Sequence, residues 1–195
     1  MLRRLFATAL ALVLAGCSRG SNDHFDPTVA PYPNAANRTP DELAALDAQF
    51  ESMCAGYDQQ TGAPQLTAAE LKQMLAAGKP VVVFDVREPA EFEAAHLPDA
   101  RLLPPATVGD STAVTDDLPA DAVVVAYCTA GLRSGKAAVQ LEQRLGRKVL
   151  NLHGGIVAWF NAGGELRNQA GQPVQTLHPY GEQWGKHVHA RSASR

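Results

Sequence analysis

The segment "AVVVAYCTAGLRSG" (122–135) joins an apolar run to a cysteine and then to a polar turn that contains glycine. Residues 122–127 are rich in valine and carry no charge, which predicts a strand buried on both faces of a sheet. Cys128 follows directly, and a helix is predicted to begin near Ser134. Functional groups of parallel α/β sheets lie at the carboxyl ends of strands, where loops lead into helices. Cys128 therefore occupies the expected position of an active-site group.

Apolar strands and amphipathic helices alternate on both sides of this segment. Further strands are predicted at 81–86 and 148–152, and helices after Pro89 and over 156–162. Two helix starts carry a threonine with a glutamate three residues later, a pattern that satisfies the first free amides of a helix. They begin at Thr39 and Thr67, and the first helix is expected to break at Gly56. The pattern predicts an α/β fold with a central parallel sheet and helices on both faces.

The composition restricts the classes of function. The 195 residues allow one domain of ordinary size with flanking segments. A formal net charge of −3 provides no basic surface for nucleic acid. The sequence lacks a phosphate-binding loop, a dinucleotide fingerprint and zinc-type cysteine pairs, so we expect no cofactor and no metal.

The N-terminus has the features of an export signal. Arg3 and Arg4 precede an apolar run (5–14) that is too short to span a bilayer. The run ends in Leu-Ala-Gly before Cys17, which resembles a bacterial lipobox, although an ordinary signal peptide with a chance cysteine is the alternative. We expect lipidation of Cys17 and a domain that faces the periplasm. Ser18, in place of an aspartate that can retain lipoproteins at the inner membrane, favours the outer membrane.

The remaining segments divide by composition. We expect a lipoprotein signal peptide at 1–16, a flexible tether at 17–38, a helical extension at 39–65, the main domain at 66–164 and a polar tail at 165–195. The tail is predicted to be loosely packed because it has no apolar period. Its His178, His187 and His189 are interpreted as solvated side chains rather than metal ligands.

The residues after Cys128 favour its thiolate form. The unpaired amides of a helix start and the charge of Arg133 both stabilise an anion nearby. Gly131 allows the backbone to curl so that successive amides converge. The alternative, a small buried core cysteine, does not explain this combination. The predicted anion-binding group consists of Thr129, Ala130, Gly131, Leu132, Arg133 and Ser134.

Three segments together resemble the rhodanese family of sulfurtransferases. "YCTAGLRS" (127–134) resembles its active-site loop, and "VVVFDVREPAEFEAAHLPDARLLP" (81–104) and "VLNLHGGIVAWFNAGG" (149–164) are similar to its flanking signatures. The resemblance covers about residues 66–164. Ala95 and Asp99 stand where glycine is usual, which affects turn geometry rather than chemistry.

The resemblance implies an enzyme that transfers sulfane sulfur. Cys128 would take the outer sulfur of a small anionic donor such as thiosulfate and pass it, as a persulfide, to cyanide or a thiol. The loop amides of residues 129–134 would hold the persulfide, and Arg133 would attract the donor.

Two other classes use comparable features. Cysteine phosphatases and arsenate reductases place five residues between cysteine and arginine, whereas four separate Cys128 from Arg133, which suits one sulfur better than a tetrahedral phosphate. A non-enzymatic or redox-sensing module is the second alternative, with Cys54 as a disulfide partner. We favour a buried, inert Cys54 packed with Leu46 and Phe50.

Other candidate residues are assigned mainly structural roles. Asp85 and Arg87 follow a strand at the same sheet edge as Cys128, so they either line the pocket or brace loops through an ion pair, and bracing is favoured. Trp159 is expected to pack in the core beneath the active loop. His96 is expected to pack in a turn.

Overall fold

The computed structural model describes residues 38–109, 117–177 and 181–189. The predicted signal peptide, Cys17, residues 18–37 of the tether and His178 lie outside the described residues. The helices are α1 (Pro40–Thr61), α2 (Ala68–Ala76), α3 (Pro89–Ala94), α4 (Leu132–Leu145), α5 (Gly155–Asn161) and α6 (Glu182–Gly185), with a 3₁₀ turn at Pro105–Thr107. The strands are β1 (Gln65–Leu66), β2 (Val81–Asp85), β3 (Arg101–Leu102), β4 (Val123–Tyr127), β5 (Val149–Leu152), β6 (Leu166–Arg167) and β7 (Pro173–Val174).

Five parallel strands form the central sheet, in the order β1-β5-β4-β2-β3. Successive side chains of a strand point to opposite faces, and here both faces are covered. Val83 and Val125 pack in a core that includes residues of α1, α2 and α5. Val82 and Val124 pack in a second core with residues of α4. The predicted α/β class, with a parallel sheet and helices on both faces, is confirmed.

The first helix is longer than predicted. Its start is confirmed, since Thr39 and Glu42 each accept a hydrogen bond from the other's amide. However, α1 continues through Gly56 to Thr61, and Gly62, with a φ of 65°, caps its end. A single glycine inside a helix costs only about 1 kcal/mol, which the burial of neighbouring side chains such as Cys54 can offset. The extra turn carries Tyr57 toward the carboxyl edge of the sheet.

The described parts of the C-terminal segment, residues 165–177 and 181–189, pack against the domain, which differs from the loosely packed tail that its composition predicts. The β6 strand pairs with β7, and the amide and carbonyl of Arg167 both bond to His96. His187 is 1% exposed, and His189 lies 2.7 Å from Asp47, so neither is solvated as expected. Isolated side chains and backbone hydrogen bonds make these contacts, and they leave no periodic signal in the sequence.

Asp99 occupies a turn that explains the preference for glycine at this position. Its φ of 58° lies in the left-handed region, which glycine adopts without cost and aspartate tolerates better than most residues. His96, in the same segment, stacks on Phe92 with ring centroids 3.9 Å apart, in agreement with its predicted packing role.

Residues 38–109, 117–177 and 181–189 contain neither a membrane-spanning helix nor a cluster of metal-ligating side chains. No helix there has the length and apolar character that crossing a bilayer requires. The same residues contain no group of three or more His, Cys, Asp or Glu side chains suited to hold a metal ion.

Candidate active site

Cys128 lies directly after β4, at the base of a small cavity. Its sulfur accepts a hydrogen bond from the Gly131 amide, with N and Sγ 3.2 Å apart. Gly131, with a φ of 105°, turns the backbone into α4, which begins two residues earlier than predicted. Cys128 is only 2% exposed, so a reagent must enter the cavity to reach its sulfur.

The first turn of α5 holds the other side of the active-site loop. The amides of Ile156 and Val157 donate to the carbonyls of Cys128 and Thr129, at 2.9 and 3.3 Å. Gly155 permits this approach, because a side chain there would collide with the Cys128 carbonyl oxygen. Trp159 of the same helix is buried in the core below the loop, as predicted.

Ser134 of α4 and Asn151 of β5 brace the loop. The Ser134 hydroxyl donates to Asn151 Oδ1 at 2.6 Å, and the Asn151 amide donates to the Gly131 carbonyl at 3.1 Å. Ser134 is fully buried and does not line the cavity. Sequence reasoning missed Asn151, although a polar residue inside the apolar strand "VLNL" is a usable signal.

Arg133 forms a bidentate ion pair with Glu91 of α3. Its Nη1 and Nη2 atoms donate to the two carboxylate oxygens at 2.9 and 3.0 Å, and Nη2 also donates to Thr129 Oγ1. Burial opposes the charge, but Glu91 and the Cys128 sulfur together raise the pKa of Arg133 above its ordinary value. Glu91 itself is buried. The predicted cation is therefore present and compensated by a carboxylate that sequence reasoning missed.

Replacing Glu91 with glutamine (E91Q) is expected to lower the free energy of unfolding by about 2 kcal/mol, because a buried charge-assisted pair is lost. Urea denaturation measures this change. The matched control is E93Q on the exposed face of the same helix, which should shift stability by less than about 0.5 kcal/mol. Equal effects of the two substitutions would contradict the assignment.

Asp85 and Arg87 brace the sheet edge and do not line the cavity. Arg87 Nε and Nη2 donate to the two carboxylate oxygens of Asp85, at 2.9 and 2.6 Å, and Nη2 also donates to the Ala95 carbonyl. The Tyr127 hydroxyl donates to Asp85 at 2.5 Å. Burial and the Asp85 charge hold the pKa of Tyr127 well above its usual range. The network thus fixes the residue immediately before Cys128.

The cavity above Cys128 has a volume of about 160 Å³. Five residues of the predicted loop segment line it, together with three side chains that sequence reasoning missed. Tyr57 comes from α1, and Gln183 and Trp184 come from α6. The sequence offers no signal for them, since Gly56 favours an end of α1 before Tyr57 and the polar composition of the tail predicts loose packing. The lining consists of Tyr57, Cys128, Thr129, Ala130, Leu132, Arg133, Gln183 and Trp184.

Cys54 is a buried core residue, in agreement with the favoured interpretation. It has no exposed surface and belongs to the same core cluster as Phe50, whereas Leu46, the other predicted neighbour, is not part of that cluster. Burial, with smaller contributions from Glu51, Asp58 and Cys128, raises the pKa of its thiol to about 12. Cys54 and Cys128 are both free thiols in this structure. The contacts of Cys54 favour an inert residue over a redox partner.

The structure places the chain in the class of α/β domains that present a cysteine on a tight loop at the carboxyl edge of a parallel sheet. Residues 67–162 match the family model described as the rhodanese-like domain. The chain is 37% identical over 99 residues to a sulfurtransferase of Allochromatium vinosum. The match covers 51% of this chain and 90% of that protein. The chain therefore belongs to the rhodanese-like family.

A longer relative agrees with this assignment, and a solved structure shares the fold. The chain is 33% identical over 94 residues to the probable adenylyltransferase/sulfurtransferase MoeZ of Mycobacterium tuberculosis, and the match covers 48% of this chain and 24% of MoeZ. The chain thus spans about a quarter of the length of that relative. The structure of a thiosulfate sulfurtransferase from Pseudomonas aeruginosa shares the fold, with a TM-score of 0.52 and 23% identity over 63% of this chain and 23% of that chain.

Proposed function

We propose that the protein is a sulfurtransferase enzyme that carries sulfane sulfur as a persulfide on Cys128. The observation that carries the proposal is the hydrogen bond from the Gly131 amide to the Cys128 sulfur at the base of a small cavity. An amide aimed at sulfur favours an anion there, either a thiolate or a persulfide. The family relationship supports the same chemistry.

In the first half-reaction, the Cys128 thiolate attacks the outer sulfur of a donor such as thiosulfate. A new bond forms between Sγ and that sulfur, and the sulfur–sulfur bond of thiosulfate breaks with its electron pair on the departing sulfite. The persulfide retains the negative charge of the thiolate. The Gly131 amide and the first turn of α4 lie beside this charge and favour it electrostatically.

In the second half-reaction, cyanide or a thiolate attacks the terminal sulfur of the persulfide. The bond between that sulfur and Sγ breaks, which yields thiocyanate or a new persulfide and returns the Cys128 thiolate. Two half-reactions through a covalent enzyme form give ping-pong kinetics.

Intact-mass spectrometry after incubation with thiosulfate tests the proposal. We expect a gain of one sulfur atom per chain, located on the peptide that contains Cys128 and removed by a small thiol. An unchanged mass under conditions in which the thiol is reduced and accessible to an alkylating agent would contradict it.

We further propose that Cys17 carries a lipid that anchors the domain to the bacterial cell envelope, facing the periplasm. The lipobox-like "LAGC" sequence at 14–17 supports this proposal. We expect the N-terminal peptide of protein purified from membranes to begin at Cys17 with acyl chains attached. A Cys17→Ser variant should lack this modification, whereas Ser18→Ala should keep it. A free thiol at position 17 of the wild-type protein would overturn the proposal.

A further inference from the structure

Two aromatic side chains from outside the matched segment 67–162 form one wall of the cavity above Cys128. Tyr57 comes from α1, and Trp184 comes from α6, within a segment (residues 181–189) that we call the C-terminal strap. Their ring centroids lie 6.3 Å apart with an interplanar angle of 63°, an edge-on pair. Such pairs stabilise aromatic walls beyond the effect of their buried area. The wall thus joins two segments that are distant in sequence.

The C-terminal strap is held to the domain by several contacts. The Asn161 side chain donates to the His187 carbonyl and accepts from the His189 amide, both at 2.8 Å. His189 Nε2 lies 2.7 Å from Asp47 Oδ1, and the His187 ring lies 5.1 Å from that of Phe50. These contacts on α5 and α1 fix the position from which Trp184 reaches the cavity.

The helix that carries Tyr57 is also fixed. His153, in the loop after β5, lies between two carboxylates of α1, with Nδ1 2.6 Å from Asp58 and Nε2 2.9 Å from Glu51. Partial burial opposes protonation, but these two carboxylates raise the pKa of His153 above its ordinary value. Because Asp58 is adjacent to Tyr57, the contacts of His153 with Asp58 and Glu51 hold the part of α1 that carries the Tyr57 ring near Cys128.

The cationic charge beside the cavity is offset by a carboxylate. Of the described residues that line it, Arg133 is the one cation, and its guanidinium is paired with both oxygens of Glu91. A compensated guanidinium attracts a further anion less strongly than an unpaired one. Aromatic and aliphatic surface dominates the rest of the wall, through Tyr57, Trp184 and Leu132.

We propose that Tyr57 and Trp184 are specificity-determining residues that select sulfur donors with a compact apolar organic group over inorganic thiosulfate. The proposal rests on the proposed persulfide function of Cys128. The donor class is an organic thiosulfonate: the Cys128 thiolate bonds to its terminal sulfur, and the sulfur–sulfur bond breaks with its electron pair on the departing sulfinate. A cavity of about 160 Å³ corresponds to the space of roughly five waters, which accommodates an organic group of about one ring.

The experiment compares two donors, benzenethiosulfonate and thiosulfate, on the full-length protein. The rate of persulfide formation on Cys128 is measured for each donor as kcat/KM, and the ratio of the two values is followed across variants. Trp184→Ala is expected to lower this ratio about fivefold to tenfold, because loss of the aromatic contact affects only the donor with a ring. Using the ratio removes differences in the intrinsic reactivity of the two donors.

Matched variants distinguish an effect of the aromatic wall on donor selectivity from a general effect of disturbing the C-terminal strap. Val188→Ala removes packing of the same strap away from the cavity and should leave the ratio within about twofold. Tyr57→Leu on α1 should lower the ratio as Trp184→Ala does, and it tests the wall even if Trp184→Ala displaces the strap. Tyr57→Phe, which keeps the ring, should retain the wild-type ratio.

An unchanged ratio in Tyr57→Leu, or an equal loss of activity with both donors, would overturn the proposed selectivity. Failure of the persulfide function has a different signature, because the wild-type protein would then gain no sulfur from either donor.

Discussion

A Cys128→Ser variant is expected to gain no sulfur from thiosulfate, whereas the wild-type protein is expected to gain one atom per chain. The serine hydroxyl is far less nucleophilic than a thiolate and cannot form the persulfide bond, so we expect transfer activity to fall at least about a thousandfold. Intact mass and a thiocyanate assay together measure the two half-reactions.

The matched control for this variant is Cys54→Ala. Cys54 is a residue of α1 that lies in the hydrophobic core with no exposed surface, and burial raises the pKa of its thiol to about 12. Such a thiol is protonated at neutral pH and does not act as a nucleophile. We therefore expect Cys54→Ala to retain transfer activity within about twofold. If Cys128→Ser still gained sulfur and Cys54→Ala did not, the reactive cysteine would be Cys54 instead.

The central sheet and the position of Cys128 at its carboxyl edge could be predicted from the sequence because both depend on local patterns. The valine runs in β2 and β4 are buried on both faces, and a continuous apolar strand followed by a glycine turn marks the carboxyl edge of a parallel sheet. The family resemblance then indicated which chemistry Cys128 supports. These features need no knowledge of how distant segments dock.

The partners of the active-site loop could not be predicted, because they come from docking between distant segments. Glu91 meets Arg133 across 42 positions, and Trp184 reaches Tyr57 from the opposite end of the chain. A lone tryptophan in a polar segment carries no periodic signal, and the glycine at position 56 favoured an earlier helix end. Single contacts of this kind decide the walls of a pocket, whereas patterns decide the sheet beneath it.

The bracing network at the sheet edge yields the second large effect. Replacing Arg87 with methionine (R87M) is expected to lower the free energy of unfolding by about 3–5 kcal/mol, because it leaves the buried Asp85 carboxylate without its cation. Asp85 raises the pKa of Arg87 despite complete burial, so the guanidinium is charged in the native protein. Urea denaturation monitored by tryptophan fluorescence measures the loss.

A double variant identifies the origin of this loss. If the uncompensated charge of Asp85 is responsible, adding Asp85→Asn to R87M should recover at least about 1 kcal/mol, even though Asp85→Asn alone destabilises the protein. Tyr127 would still have a side-chain oxygen to accept its hydroxyl hydrogen bond. A double variant less stable than R87M would instead show that lost packing of the arginine side chain dominates. The sign of one free-energy difference therefore distinguishes a charge network from a packing role beside the active-site loop.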